Sequence, residues 1–156
     1  MSTPKKSDIQ KFVSIQNRKA AHEFHFIDKY SAGVVLKGTE IKSIRQGKVN
    51  MQDAFCLFLN NELFVRNLHI SEYERGNIHN HNPKIDRKLL LTKRELNKLN
   101  KALDESGMTI VPTRVFISEK GWAKVDIALA RGKRLYDKRE TLKEKDAQRE
   151  LDRYHN

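Results

Sequence analysis

Between Ala54 and Ile70 two apolar runs, Ala54-Phe-Cys-Leu-Phe-Leu59 and Leu63 to Ile70, flank the pair Asn60-Asn61. Asparagine is one of the few residues that tolerates the positive φ of a tight hairpin turn. This stretch is therefore constrained to fold back on itself as two antiparallel strands. A second hairpin is read at Thr109–Ile117 and Trp122–Leu129, joined by Ser118-Glu-Lys-Gly121. In its second arm Ala123, Val125, Ile127 and Leu129 face one way, and Trp122, Lys124 and Asp126 the other. That is the pattern of a strand packed on one side. Pro112 removes a ladder donor, so its strand lies at an edge or is bulged there. Further strands are expected at His22–Ile27, with Phe24 and Phe26 on one face, and at Gly33–Leu36, after a turn at Tyr30-Ser-Ala-Gly33.

Two helices interrupt the strands. Thr92-Lys-Arg-Glu95 is a capping-box sequence. Leu96, Leu99 and Leu103 then share one face, and Gly107 can terminate the helix. A shorter helix runs from near Thr39 to Gly47, with Ile41 and Ile44 pointing inward and Lys42 and Arg45 on a solvent-facing side. No repeat period is visible. The expectation is a mainly β fold with short helices: a five- or six-stranded antiparallel β-barrel of the oligonucleotide-binding type with flanking helices. Residues 1–16 read as a flexible leader, 17–131 as the barrel domain and 132–156 as a C-terminal tail. Among the last residues only Leu135, Tyr136, Leu142, Ala147, Leu151 and Tyr154 are apolar. That stripe is too thin to offset the entropy of ordering, so the tail is expected to be disordered when free and helical against a partner.

Charge narrows the partner. Lys and Arg number 31 against 20 Asp and Glu, a net +11. Such a chain suits a polyanion. No apolar run approaches the ~20 residues that span a bilayer, and no apolar segment follows Met1-Ser-Thr-Pro-Lys-Lys, so neither a membrane nor a secretory signal is expected. Nucleic acid remains, with basic clusters at Asn17-Arg-Lys19, Lys42/Arg45/Lys48, Lys84 to Lys88, Lys93-Arg94 and Arg131 to Arg134. Any one of these alone is as readily solvated surface; together, with aromatic residues interleaved, they favour a phosphate-binding face. The lone Cys56 sits in an apolar run and reads as a small core residue, which fits a reducing cytoplasm. His22, Glu23 and His25 do not form a simple acid–base dyad, because neighbours on a strand point to opposite faces. His79-Asn-His81 lacks the further ligands of a zinc site. No Walker loop, nucleophile elbow or His-Glu-x-x-His sequence occurs. The reading is a binding protein without catalytic residues, metal or cofactor. Glu40 is open: it compensates the dipole of the short helix, or it orients Lys42 or Arg45, or it accepts from a base amino group.

One block decides between these options. Gly38-Thr-Glu-Ile-Lys-Ser-Ile-Arg-Gln-Gly-Lys48 resembles the signature of the SsrA-binding protein family, also called small protein B. Ala32 to Leu36, Lys88-Leu-Leu-Leu91, Trp122-Ala-Lys-Val125, Ala130-Arg-Gly-Lys133 and Asp137-Lys-Arg139 fit the same family in order, from about Asn17 to Arg139. The resemblance implies an oligonucleotide-binding barrel that grips the tRNA-like part of transfer-messenger RNA and delivers it to stalled ribosomes in trans-translation, as a monomer when free. It implies an RNA-binding face at His22, Glu40, Lys42, Arg45, Lys48, Lys88, Lys124, Lys133 and Arg134. It also implies a tail that enters the empty mRNA channel and decoding centre, with Gly132 as a flexible junction and Asp137, Lys138 and Arg139 as its motif. The sequence departs from the family pattern at Ala21, where Arg is expected, and at Ser31, where Glu is expected. Ile85 interrupts a usually more basic stretch, and Thr92 replaces a frequent Asn. The competing readings are a general ribosome-associated RNA-binding protein of the same fold, which needs no such tail motif, and a metal-dependent nuclease, which would need Glu23, Glu40 and Asp53 to converge.

Overall fold

The structure, a computed structural model, describes residues 13–133 and 143–149. Six strands close on themselves. β2 (Phe24–Val34), β4 (Phe55–Leu59), β5 (Glu62–Arg66), β7 (Arg87–Leu90), β8 (Met108–Ile117) and β9 (Ala123–Gly132) are all antiparallel, in the cyclic order β8-β4-β5-β7-β2-β9. The β8–β9 pairing makes the ring a closed barrel. β1 (Ser14–Gln16) adds to β8, and a small separate sheet joins β3 (Val49–Asn50) to β6 (His69–Ile70). Among the described residues no helix is long and apolar enough to cross a membrane.

The turns behave as their residues dictate. Asn60 and Asn61 have φ of 51° and 64°, joining β4 to β5. Gly121 has φ of 84° between β8 and β9. Pro112 sits at the bulge of β8, where the register with β9 shifts before Arg114. Alternation then sorts the side chains. Leu63, Val65, Ile110, Val115, Val125 and Ile127 fill the barrel and are almost wholly buried. Cys56 is among them, and burial pushes its thiol pKa up. It is the inert core residue expected.

Helices complete the core from outside the ring. α1 (Arg18–Glu23) lays Ala20 on Val111 and Ala130, beside Phe24 and Phe26. Those positions alternate with the barrel-filling ones, so α1 covers the outer wall. α2 (Gly38–Arg45) and α3 (Lys93–Ala102) send Ile44 and Leu99 into the main core. Thr92 caps α3: its hydroxyl accepts from the Glu95 N–H at 3.2 Å while the Glu95 carboxylate accepts from the Thr92 N–H at 3.0 Å. α4 (residues 143–149) exposes every one of its side chains.

Four expectations are corrected. Ser14–Gln16, read as leader, pairs with Phe116 to Arg114 of β8; residues 1–12 lie outside the described residues. His22 and Glu23 are helical, not extended, because Asn17 caps α1. Its amide oxygen accepts from Ala20 N–H at 3.1 Å, and its amide nitrogen donates to the Pro112 carbonyl at 2.8 Å. Tyr30 to Gly33 is no turn: it continues β2, in register with Ile127 to Lys124 of β9, where the long partner strand overrides a local turn preference. Gly132, expected as a flexible junction, is still in β9 and pairs with Phe24.

Candidate nucleic-acid interface

α2 is two-sided. At its start the Glu40 carboxylate accepts from the Lys37 N–H at 2.9 Å, and Gly47, with φ of 74°, allows the chain to turn away after its end. Glu40 itself is only 3% exposed. Its second oxygen accepts from Arg87 Nε, and Arg87 is equally buried. Arg87 also donates to the carbonyls of Leu68 and Pro83. One guanidinium thus ties α2 to the start of β6 and to the chain leading into β7. The expectation that Glu40 contacts a base or orients Lys42 or Arg45 is corrected: both its oxygens are spent inside the protein.

The other side of α2 is as expected. Lys42 and Arg45 are exposed, and Lys48 follows, half-buried. Lys42 Nζ lies 5.4 Å from the centre of the Tyr73 ring, and Lys48 Nζ lies 3.2 Å from a Glu74 carboxylate oxygen.

Lys88 and Lys124 belong to a second surface, the outer wall of the barrel. Lys124 is in register with Gly33 on one side and Phe116 on the other, and Gly33 is in register with Leu90. Lys88 stands beside Phe64 and pairs with Glu62 at 3.3 Å; its carbonyl accepts from the Val35 N–H. Around these two cations the wall exposes Val35 (53%), Leu90 (50%) and Trp122 (68%). Arg114 stacks on Phe116 with 3.9 Å from its guanidinium carbon to the ring centre. The sequence pattern alone does not single out Val35, Leu90, Trp122 or Arg114 as site residues. Trp122 carries the one signal: it falls on the polar side of its strand yet is the largest apolar residue in the chain.

His22 and Lys133 mark a third place. Lys133 N–H donates to the Glu23 carbonyl at 2.8 Å, at the junction of α1 and β9. Lys124 in β9 and Lys133 just past its end are nine residues apart, ~30 Å at the rise of an extended chain. The expected residues are therefore spread over a long surface rather than gathered in one spot. Arg134, Asp137, Lys138 and Arg139 lie outside the described residues.

Two of the four departures from the family pattern meet in space. Ala21 and Ser31 both line a groove of about 510 Å³, with Phe26, Lys29, Arg114 and Asp126. A carboxylate is present there after all. Asp126 is in register with Ser31 and is held by Arg114 Nε at 2.9 Å.

The comparisons with known proteins decide the family. The model of the family described as SmpB protein matches residues 14–156. The chain belongs to the SmpB family. Among relatives of this SmpB chain are SsrA-binding proteins of Christiangramia forsetii, 55% identical over 90% of each chain, and of Flavobacterium psychrophilum, 56% identical over 92% of this chain and 95% of its own. That of Trichodesmium erythraeum is 49% identical over 96% of this chain and 95% of its own. A solved structure described as "tmRNA-SmpB: a journey to the center of the bacterial ribosome" superposes with a TM-score of 0.68 at 42% identity, covering 83% of this chain and 94% of that chain.

Of the two histidines at 79 and 81, His81 has a structural use. His81 is 2% exposed, with Nε2 at 2.8 Å from the Ile70 carbonyl and Nδ1 at 2.9 Å from the Thr39 hydroxyl. A carbonyl can only accept, so Nε2 carries the proton and Nδ1 accepts from Thr39. Among the described residues no three His, Cys, Asp or Glu gather as metal ligands.

Proposed function

We propose that this SmpB-family chain binds the tRNA-like part of transfer-messenger RNA and delivers it to stalled ribosomes for trans-translation. The observation that carries this is the match to the family along nearly the whole described chain, among relatives named SsrA-binding proteins. The physical reading agrees with it. Cations on α2 would meet phosphates, which supplies affinity and salt dependence. The outer wall offers Trp122 and the Arg114–Phe116 stack to unpaired bases, the usual targets in folded RNA. Lys88 and Lys124 sit within that apolar wall, where a phosphate between stacked bases would fall. His22, Lys133 and Arg134 extend the contact towards the tail. Glu40 serves from inside, by fixing the helix that presents Lys42 and Arg45.

The tail is the second part of the proposal. From Arg131 to Arg153 it holds nine Lys and Arg against six Asp and Glu. That near-balance adds little long-range attraction to RNA, so its value must come from specific short-range contacts. Asp137, Lys138 and Arg139 enter the mRNA channel and decoding centre in this reading. In α4 seven tail residues are helical with no core of their own, which suits a segment that gains its packing from the ribosome. The test is two-armed. RNA that copurifies with the chain should be transfer-messenger RNA. The triple variant Asp137→Ala, Lys138→Ala, Arg139→Ala should bind that RNA almost normally and fail to tag stalled ribosomes. Equal loss of RNA affinity and tagging would favour a single extended RNA-binding surface and end the two-part reading.

A further inference from the structure

The basic side of α2 is partly covered, although Lys42 and Arg45 remain exposed. The segment from Ser71 to His81 is pressed against it and is built to stay there. Asn80 staples the segment closed: its amide oxygen accepts from the Tyr73 N–H at 3.0 Å and its amide nitrogen donates to the Tyr73 carbonyl at 2.6 Å. Ser71 N–H donates to the Lys48 carbonyl at 3.1 Å. Gly76 lies so near α2 that a Cβ there would come within 3.1 Å of the Thr39 methyl and closer still to Asn80. Thr39 in turn donates to His81, whose Nε2–H reaches Ile70. Both ends of the loop and its middle are therefore tied to α2 or to the strand before it.

What this loop presents to α2 is chemically specific. Tyr73 offers the face of its ring to Lys42, an attraction between a cation and the ring quadrupole. Glu74 offers a carboxylate to Lys48 at 3.2 Å. Two of the three cations on and just after α2 that are expected to meet phosphate are thus already occupied, one by a carboxylate and one by an aromatic face. Glu74 is 82% exposed and Lys48 39%. Solvent screens such a pair, so it is weak enough to be broken by a competing anion.

We infer that Glu74 stands in for an RNA phosphate on Lys48, and that this loop is an internal competitor which sets the affinity of the α2 site. RNA must displace the carboxylate before Lys48 can pair with phosphate, and Glu74 then faces the RNA as a like charge. The chain's net charge of +11 explains why such a brake is useful. A barrel this basic attracts any polyanion at long range. A competitor at the contact lowers the gain from a single phosphate and leaves most of the affinity to contacts that only the correct RNA completes. This inference rests on the reading that α2 meets RNA.

The experiment measures the dissociation constant of the full chain for an in vitro transcript of the tRNA-like part of transfer-messenger RNA, over a range of salt. Three variants are compared with the parent: Glu74→Gln, Glu72→Gln and Lys48→Ala. Glu72 is exposed just before Tyr73 and contacts no α2 cation among the described residues, so it controls for net charge. Glu74→Gln should bind about 2- to 5-fold tighter, the range of an exposed pair. Its log–log salt slope should stay near the parent's, because Lys48 meets a phosphate in both complexes once the carboxylate has been displaced. Glu72→Gln should change the affinity little. Equal effects of Glu72→Gln and Glu74→Gln would reduce the loop to its charge and overturn the inference. So would unchanged binding by Glu74→Gln where Lys48→Ala weakens it. If Lys48→Ala itself has no effect on binding or slope, the reading of α2 as a phosphate contact fails, and the competitor fails with it.

Discussion

The two surfaces of this barrel hold their cations in opposite surroundings. Lys42 and Arg45 stand on a short polar helix and Lys48 just beyond its end, with Tyr73 and Glu74 as neighbours. On the outer wall, Lys88 and Lys124 stand between exposed Val35, Leu90 and Trp122. The first surface can offer little beyond charge. The second can bury apolar area and stack bases. On the proposed reading, a small basic protein divides attraction from recognition in this way, with salt governing one face and shape the other.

The largest effect is expected beneath α2. If the helix only displays charge, its inner side must be structural. Glu40→Gln leaves Arg87 charged and buried without its partner, and breaking a buried pair in this way costs roughly 3–5 kcal/mol. Lys42→Ala on the outer side should stay within about 0.5 kcal/mol of the parent. Urea melts of both variants check this; similar stability losses would erase the two-sidedness of α2.

Next in size is the wall. Trp122→Ala should weaken RNA binding by ~1–3 kcal/mol if a base stacks on the indole. Its salt slope should match the parent, since every phosphate keeps its cation. A shallower slope for Trp122→Ala would mean that the wall, too, works through charge.

The sequence exposes most of this frame. Asn60-Asn61, Ser118 to Gly121 and the Thr92–Glu95 cap mark both hairpins and α3 because each rests on interactions between near neighbours in the chain. What stays hidden depends on partners far away. β1 reads as leader because its strand character comes only from β8, a hundred residues on. Asn17 looks like part of a basic cluster, yet it is buried, capping α1 and reaching Pro112 and Met51. Arg87 likewise sits in the basic run Lys84 to Lys88. Its spacing holds a clue: on a strand Arg87 shares a face with Leu89, so a charge there points inward and needs a buried partner. That the partner is Glu40, 47 residues earlier, only the fold reveals.

A smaller effect separates the wall from its support. Arg66 at the end of β5 holds Asp86 through two bonds of 3.1 and 2.9 Å. The Arg66 guanidinium keeps the Asp86 carboxyl below its ordinary value. A carboxylate whose folded pKa is depressed adds stability above its unfolded value, near 4, and loses it as pH falls through the folded value. Asp86→Asn should therefore flatten part of the acid limb of stability and leave neutral RNA binding unchanged. The effect should be the smallest of the set, because both side chains are a third or more exposed and solvent screens the pair. An unaltered acid limb in melts from pH 6 down to 3 would remove Asp86 from the account.

The most direct test of the division between charge and shape is one salt titration of RNA affinity on two double variants. Lys42→Ala with Arg45→Ala should weaken binding and shallow the log–log slope by about two units, one for each phosphate left without its cation. Trp122→Ala with Leu90→Ala should weaken binding as much or more at a slope equal to the parent's. Parallel lines for the α2 double variant, or a shallower line for the wall double variant, would contradict the account.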